Sequence, residues 1–306
     1  MDDTIKNKYE AYNKDILNKI FEDWFQDTLY SRLEGKRKII IVMTRWATGD
    51  IAGRLMKMLD EQGRKYRLIA KKACDDGHML NPFILNINAY NNLIKTIGED
   101  IVKANYDQEP VDIKGKLYPH FLTYNTSLLR SNINPEGNVV LQNIKAIADT
   151  ADAGEDYLCM IIYGVTKDKK IYILDVYYTQ DHMEITEKEA AQRLKQYEPN
   201  VFRVESNNGG RGWSRNVETE YKKLGGTHTI FKPYTQTKNK EARILSNATE
   251  VMNFVYFPDD WQQRYREYYD SMDQYQRQGK NEHDDAQDAT TAVVEEELVK
   301  LGVHYG

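Results

Sequence analysis

Four acidic residues stand at the ends of elements, where side chains from different parts of a chain can meet. Asp149 closes the stretch Ala146-Ile147-Ala148-Asp149, and Glu205 closes Phe202-Arg203-Val204-Glu205. Asp285 and Asp288 open a predicted last helix in His283-Asp284-Asp285-Ala286-Gln287-Asp288. A carboxylate at the C-terminal end of a strand faces the end of a neighbouring strand, and helix residues three apart share one face. Two carboxylates about 4 Å apart repel by roughly 1 to 4 kcal/mol at effective dielectrics between water and a protein surface. A divalent cation removes that cost, and oxygen-only ligands suit Mg²⁺ or Mn²⁺. Two such ions about 3.5 to 4 Å apart can activate a water and stabilise the leaving oxygen of a phosphodiester. The acidic pattern therefore points to two-metal phosphodiester hydrolysis.

Each residue also has a purely structural reading. Asp149 precedes Thr150 and Ala151 and can be a turn residue. Asp284 and Asp285 can cap the last helix, and Asp288 can sit in its first turn for the dipole alone. Glu205 is harder to set aside, because a lone carboxylate ending an apolar strand is rare. The joint placement of the four is more specific than any one of them. Ser206-Asn207-Asn208-Gly209-Gly210-Arg211 follows Glu205, and its glycines let backbone approach a phosphate. Arg211, with Lys238, Lys240, Arg243 and nearby Lys232, offers cations for the phosphates of DNA. A solvated helix face explains the Lys238–Arg243 stretch equally well.

The elements that must position these residues follow from periodicity. Residues 8–33 read as helix, with Ile16, Ile20, Phe21 and Trp24 at helical spacing. A basic turn, Gly35-Lys36-Arg37-Lys38, leads into the apolar run Ile39–Met43, which suits a buried parallel strand. Asp50 is placed to cap a helix whose apolar face holds Ile51, Leu55, Met58 and Leu59. Further helix is expected within 80–110. The Asn- and Ser-rich stretch 126–138, with Pro135 and Gly137, reads as a linker.

Beyond it, Ile144–Asp149 is a strand followed by the turn Asp152-Ala153-Gly154. The runs 158–165 and 170–178 form a hairpin. Thr186 and Glu189 form a capping box ahead of a helix. Val201–Glu205 is a strand, helix starts near Gly212, and 229–231 is a strand. Helices then cover 239–250, 261–276 and 285–299. The order β-β-β-α-β-α-β-α is that of an RNase H-like mixed sheet flanked by helices, an α/β fold.

Composition sets outer bounds. The chain has 306 residues, 41% hydrophobic and 29% charged, the profile of a globular protein with room for one large or two ordinary domains. The longest apolar run is far too short to span a bilayer, and the polar N-terminus is not a signal peptide. No membrane partner is expected, and the expected location is a cytoplasm. Cys74 and Cys159 lack metal-ligand spacing and read as reduced thiols. The net charge of −5 counts against nucleic acid at first sight, but a carboxylate cluster inflates it and bound cations would cancel it.

At these motifs the sequence resembles the large terminase subunits of tailed bacteriophages over most of its length. IIIVMTRWATGDIAGRLMKML is similar to a segment late in the terminase ATPase domain. IADTADAGEDY, VESNNGG and HDDAQDA are similar to the three acidic motifs of the nuclease domain, and KNKEARI to a stretch between them. The resemblance implies an endonuclease that cuts concatemeric double-stranded DNA during packaging with two Mg²⁺ or Mn²⁺ ions. It implies metal-binding and catalytic roles for Asp149, Glu205, Asp285 and Asp288, a further ligand in Asp156, and ATPase coupling by Thr44, Arg45 and Trp46. It also implies a portal protein and a small terminase subunit as partners, and the bacterial host cytoplasm as location.

The resemblance departs in one respect. No G-x-x-x-x-G-K-[ST] loop is present, so no ATPase activity is expected from this chain alone. Residues 1–125 are then the remnant of a smaller P-loop-type α/β ATPase domain, 126–138 a linker and 139–306 the nuclease domain. The chain would be the C-terminal portion of a terminase, an expressed piece or a split-gene product. The alternatives are a motor or docking segment with little nuclease activity, and another RNase H-like enzyme such as a transposase or Holliday-junction resolvase.

Overall fold

The computed structural model describes residues 3–32, 34, 38–110, 115–128, 140–150, 156–206, 209–279 and 281–299. Most of the expected basic turn at 35–38, the turn at 152–154, and most of the expected linker 126–138 lie outside them. The chain divides into two compact units, Met1–Lys114 with Asn239–Thr249, and Gly115–Lys238 with Glu250–Gly306.

In the first unit, helix α1 (Ile51–Glu61) starts at Asp50, whose carboxylate accepts from the Gly53 N–H at 2.9 Å. Its Ile51 and Leu55 pack against Phe21 and Phe25. The run Ile39–Met43 departs from expectation. It forms no strand of a sheet among the described residues; Ile39, Ile41 and Met43 pack on the Phe25 cluster, while Ile40 is 76% and Val42 64% exposed. A continuous apolar run predicts two covered faces, and here one face alone is covered. Helices Ile87–Ile97 and Glu99–Asn105 fill the expected helical stretch.

The second unit holds a seven-stranded mixed sheet. Its strands in chain order are β1 (Leu122–Tyr124), β2 (Asn143–Asp149), β3 (Leu158–Val165), β4 (Ile171–Thr179), β5 (Val201–Glu205), β6 (Ile230–Tyr234) and β7 (Val255–Pro258). In space they run β1-β7-β4-β3-β2-β5-β6. β2, β3 and β4 form an antiparallel meander, while β5 joins β2, and β6 joins β5, in parallel. This is the RNase H-like arrangement, extended beyond β4 by β7 and β1, both parallel.

Strand periodicity sorts the two faces. Ala146, Ala148, Phe202 and Val204 point into a core shared with α2 (Met183–Tyr197) and α3 (Gly210–Lys223), where Leu194, Trp213 and Val217 are buried. Helix α2 begins three residues before the expected capping box, after His182. Thr186 is instead buried, donating to the Met183 carbonyl and accepting from Trp213 Nε1 at 3.0 Å. A tertiary partner for that hydroxyl outcompetes the local cap.

Candidate metal centre

Because Ala146 and Ala148 face α2 and α3, alternation turns Lys145, Ile147 and Asp149 to the opposite face of the sheet. The same parity on β5 turns Arg203 and Glu205 that way. Two ion pairs follow it: Lys145 meets Glu297 at 2.7 Å and Arg203 meets Glu296 at 3.3 Å. Helix α4 (Asp285–Val294), which precedes those glutamates, packs on β2 and β3, and every residue of it is buried. Its first turn thus comes to the ends of β2 and β5. These strands are parallel neighbours, with Ala148 opposite Val204, so Asp149 and Glu205 end side by side.

One carboxylate oxygen from each of Asp149, Glu205 and Asp288 lies within 4.8 Å of the other two. At that spacing each pair of charges repels by roughly 1 to 3.5 kcal/mol for dielectrics between 80 and 20. Asp149 and Glu205 are half-buried and Asp288 is 5% exposed. Three converging oxygens, with no sulfur or nitrogen donor in the group, fit a hard divalent cation such as Mg²⁺ or Mn²⁺.

The four sequence-predicted acids therefore separate. Asp288 joins the cluster, whereas Asp285, also buried, accepts from the Tyr157 backbone N–H at 3.1 Å through Oδ2. Asp156, next to that residue, is exposed and outside the convergent three. The Tyr157 ring stacks on Tyr178 at 4.3 Å and meets the His283 ring edge-on at 5.1 Å. Burial raises the Tyr157 hydroxyl above its ordinary range, with nearby carboxylates adding to the effect.

The glycines after Glu205 have a packing role. Gly209 has φ +89°, and a Cβ on Gly210 would lie 1.9 Å from the Glu205 carbonyl oxygen and 2.9 Å from Thr150 Oγ1. Helix α3 therefore starts directly against the strand end that presents Glu205. Asn207 and Asn208 lie outside the described residues.

The basic residues are placed unequally. Arg211 and Lys238 are exposed and Lys240 is half-buried. Arg243 is 1% exposed, among the largest fully buried side chains, so its guanidinium is not offered to a phosphate at the surface. A stretch of charge in sequence does not reveal which member a helix turns inward. Thr44, Arg45 and Trp46 form a tight corner of the first unit. The Thr44 N–H donates to Asp3, while Arg45 Nε and the Trp46 N–H donate to Asp50, which is fully buried.

Two contributors escaped the sequence reading. Arg203 lies two residues before Glu205 on the same strand face, beside Glu296 and 5.2 Å from the Tyr234 ring; the period-two rule carried that signal. The Tyr157 N–H that holds Asp285 is a backbone group, and residue type gives no sign of it.

A family model described as Terminase Bacteriophage T7, Ribonuclease H-like domain, matches residues 148–255, which include Asp149 and Glu205. None of the curated proteins matches the chain. Among solved structures, the human cytomegalovirus terminase nuclease domain, Mn soaked and inhibitor bound, is similar. It aligns with 56% of this chain and 87% of its own at 11% identity and a TM-score of 0.38. The nuclease domain of the large terminase subunit of bacterial virus Sf6 aligns over 52% and 89% at 9% identity and a TM-score of 0.36. RuvC of Thermus thermophilus aligns over 52% and 96% at 12% identity and a TM-score of 0.33.

Proposed function

We propose, from the premise that residues 148–255 form an RNase H-like domain of the terminase family, that the chain is a metal-dependent DNA endonuclease. It would act in a phage large terminase, cutting concatemeric double-stranded DNA during genome packaging. The observation that carries this reading is the convergence of Asp149, Glu205 and Asp288 within 4.8 Å at the ends of two adjacent parallel strands and one buried helix. Mg²⁺ or Mn²⁺ bound as a pair would supply an activated water and offset charge developing on the phosphodiester.

The chain's own residues divide the remaining work. Asp149, Glu205 and Asp288 hold the cations, with Asp156 available from the neighbouring loop. Asp285, tied to the Tyr157 N–H, is a positioning residue that fixes the first turn of α4 and with it Asp288. Arg211, Lys238 and Lys240 contact backbone phosphates and set register on the duplex without reading sequence. Residues 1–114 we read as the end of a packaging ATPase domain, short of the expected 125 because Leu122–Tyr124 pairs into the second unit's sheet, with the Thr44-Arg45-Trp46 corner as its coupling element, and portal and small subunit as partners.

The direct test is cleavage of supercoiled plasmid in Mn²⁺. Nicking and linearisation are expected, with Asp149→Ala and Glu205→Ala each lowering the rate at least about 100-fold. Cleavage indifferent to both substitutions would sink the assignment. A strong preference for four-way junctions over linear duplex would move it to a resolvase.

A further inference from the structure

Strand β4 loses its outer neighbour early, because β7 pairs with it at Ile171 and Tyr172 alone. Further along β4, residues 175–178 line a cleft of about 540 Å³ together with α2 and the short helices Trp261–Arg264 and Arg266–Gln274. Its chemistry is the opposite of the acidic cluster. Arg193, Arg264 and Arg266 stand against Asp175 and Glu267, leaving an excess of one positive charge, and Tyr177, Tyr197 and Tyr265 supply aromatic faces.

Buried Asp175 organises this cationic wall. It accepts from Arg193 Nη1 at 2.5 Å and from the Tyr265 hydroxyl at 3.0 Å, and lies 3.9 Å from Arg264 Nη2. The guanidinium of Arg193 lies over the Tyr177 ring at 4.7 Å, and that of Arg264 over the Tyr265 ring at 5.0 Å. Both arginine side chains remain partly exposed, so each can be fixed by Asp175 and still reach a ligand.

Two polar groups in the same wall are left over. Arg193 Nε and the Tyr177 hydroxyl are buried with no hydrogen-bond partner among the described residues, and Tyr177 is 9% exposed. Burial pushes that hydroxyl up to about 12, so it stays protonated at neutral pH. Unpaired buried donors are rare and costly. Two of them, adjacent in a cleft of ligand size, call for acceptor oxygens supplied from outside. A bare phosphate would use the donors but leave most of the cleft unfilled.

We propose that this cleft binds a nucleotide, its phosphate oxygens accepting from Arg193, Arg264 and Tyr177 and its base filling the rest of the cleft beside Tyr197. A free mononucleotide and the 5′-phosphorylated end of a DNA strand present the same chemistry. The site is separate from the acidic cluster, although Tyr178 both lines the cleft and stacks on Tyr157. The proposal stands whether or not the chain cuts DNA.

The test is titration calorimetry on the full chain in EDTA, which keeps metal-dependent cleavage silent. Deoxyadenosine 5′-monophosphate should bind saturably, and deoxyadenosine about tenfold or more weakly. Arg264→Gln should weaken the mononucleotide about tenfold or more, and Tyr177→Phe about three- to tenfold. Tyr177→Phe keeps the packing, so its melting temperature should match the parent and its loss of binding can be read directly. Competition by a short 5′-phosphorylated oligonucleotide, but not by its 5′-hydroxyl twin, would assign the site to strand ends; failure of both to compete would assign it to free nucleotide. The proposal is overturned if neither the mononucleotide nor the phosphorylated oligonucleotide binds saturably, or if binding ignores both substitutions.

Discussion

Asp149→Asn takes one charge out of the acidic cluster while keeping its shape, and the consequence is measurable without any DNA. With one oxygen of each within 4.8 Å of the others, the three carboxylates make three repelling pairs, each worth roughly 1 to 3.5 kcal/mol before relaxation. Asp149 belongs to two of them. A bound divalent cation cancels all three, which is the driving force for binding, and the substitution removes both a ligand and most of that drive. With Mn²⁺ at 100 times its Kd, the parent protein gains about 2.7 kcal/mol, or roughly 5 to 10 °C in Tm for a chain of this size. A variant that binds about 100-fold more weakly keeps about 0.4 kcal/mol at the same Mn²⁺ concentration, roughly 1 °C. Scanning calorimetry, each variant referenced to its own melt in EDTA, reads the difference. Glu205→Gln and Asp288→Asn should behave alike, and Asp285→Asn should keep more of the Mn²⁺ shift than any of them. A full shift in Asp149→Asn would mean that the three oxygens do not make one site. Loss of the shift in Asp285→Asn with retention in Asp288→Asn would mean that Asp285, and not Asp288, holds the cation.

Gly210→Ala should drive a methyl into the Glu205 carbonyl, which sits 1.9 Å from the ideal Cβ position. A cost of about 1 to 3 kcal/mol is expected, or a Tm roughly 2 to 12 °C lower, together with reduced plasmid cleavage; an unchanged melt would contradict the packing. Lys145→Met should strand the carboxylate of Glu297, which is 3% exposed and would keep a hydrogen bond from the Tyr163 hydroxyl at 3.0 Å. Urea unfolding should register a loss of about 3 kcal/mol, and the double variant Lys145→Met with Glu297→Leu should recover most of it, because no buried charge is then left alone.

Much of the sheet could be read from residue pattern. The strands ending at Asp149 and Glu205, and the hairpin between them, each carry their own apolar run and turn, so local chemistry was enough. The same holds for Asp50 as a helix cap. Pattern failed where a partner distant in sequence decides the outcome. Ile39–Met43 has the composition of a strand covered on both faces, yet covering layers are a property of the whole unit, and Ile40 and Val42 are exposed. Thr186 had the spacing of a cap, but Trp213 captures its hydroxyl. Strand β7 follows helix Lys240–Phe254 without an intervening turn; four residues are too few for a periodic signal, and it exists because β4 and β1 pair with it.

The acidic cluster divides along the same line. By itself the sequence determined that Asp149 and Glu205 end strands and that Asp285 and Asp288 share a helix face, since alternation and helical pitch are local rules. The tertiary structure alone decided that Asp288 reaches those strand ends while Asp285 turns to the Tyr157 N–H. That choice depends on how helix α4 is seated on β2 and β3, which rests on contacts between residues more than a hundred positions apart.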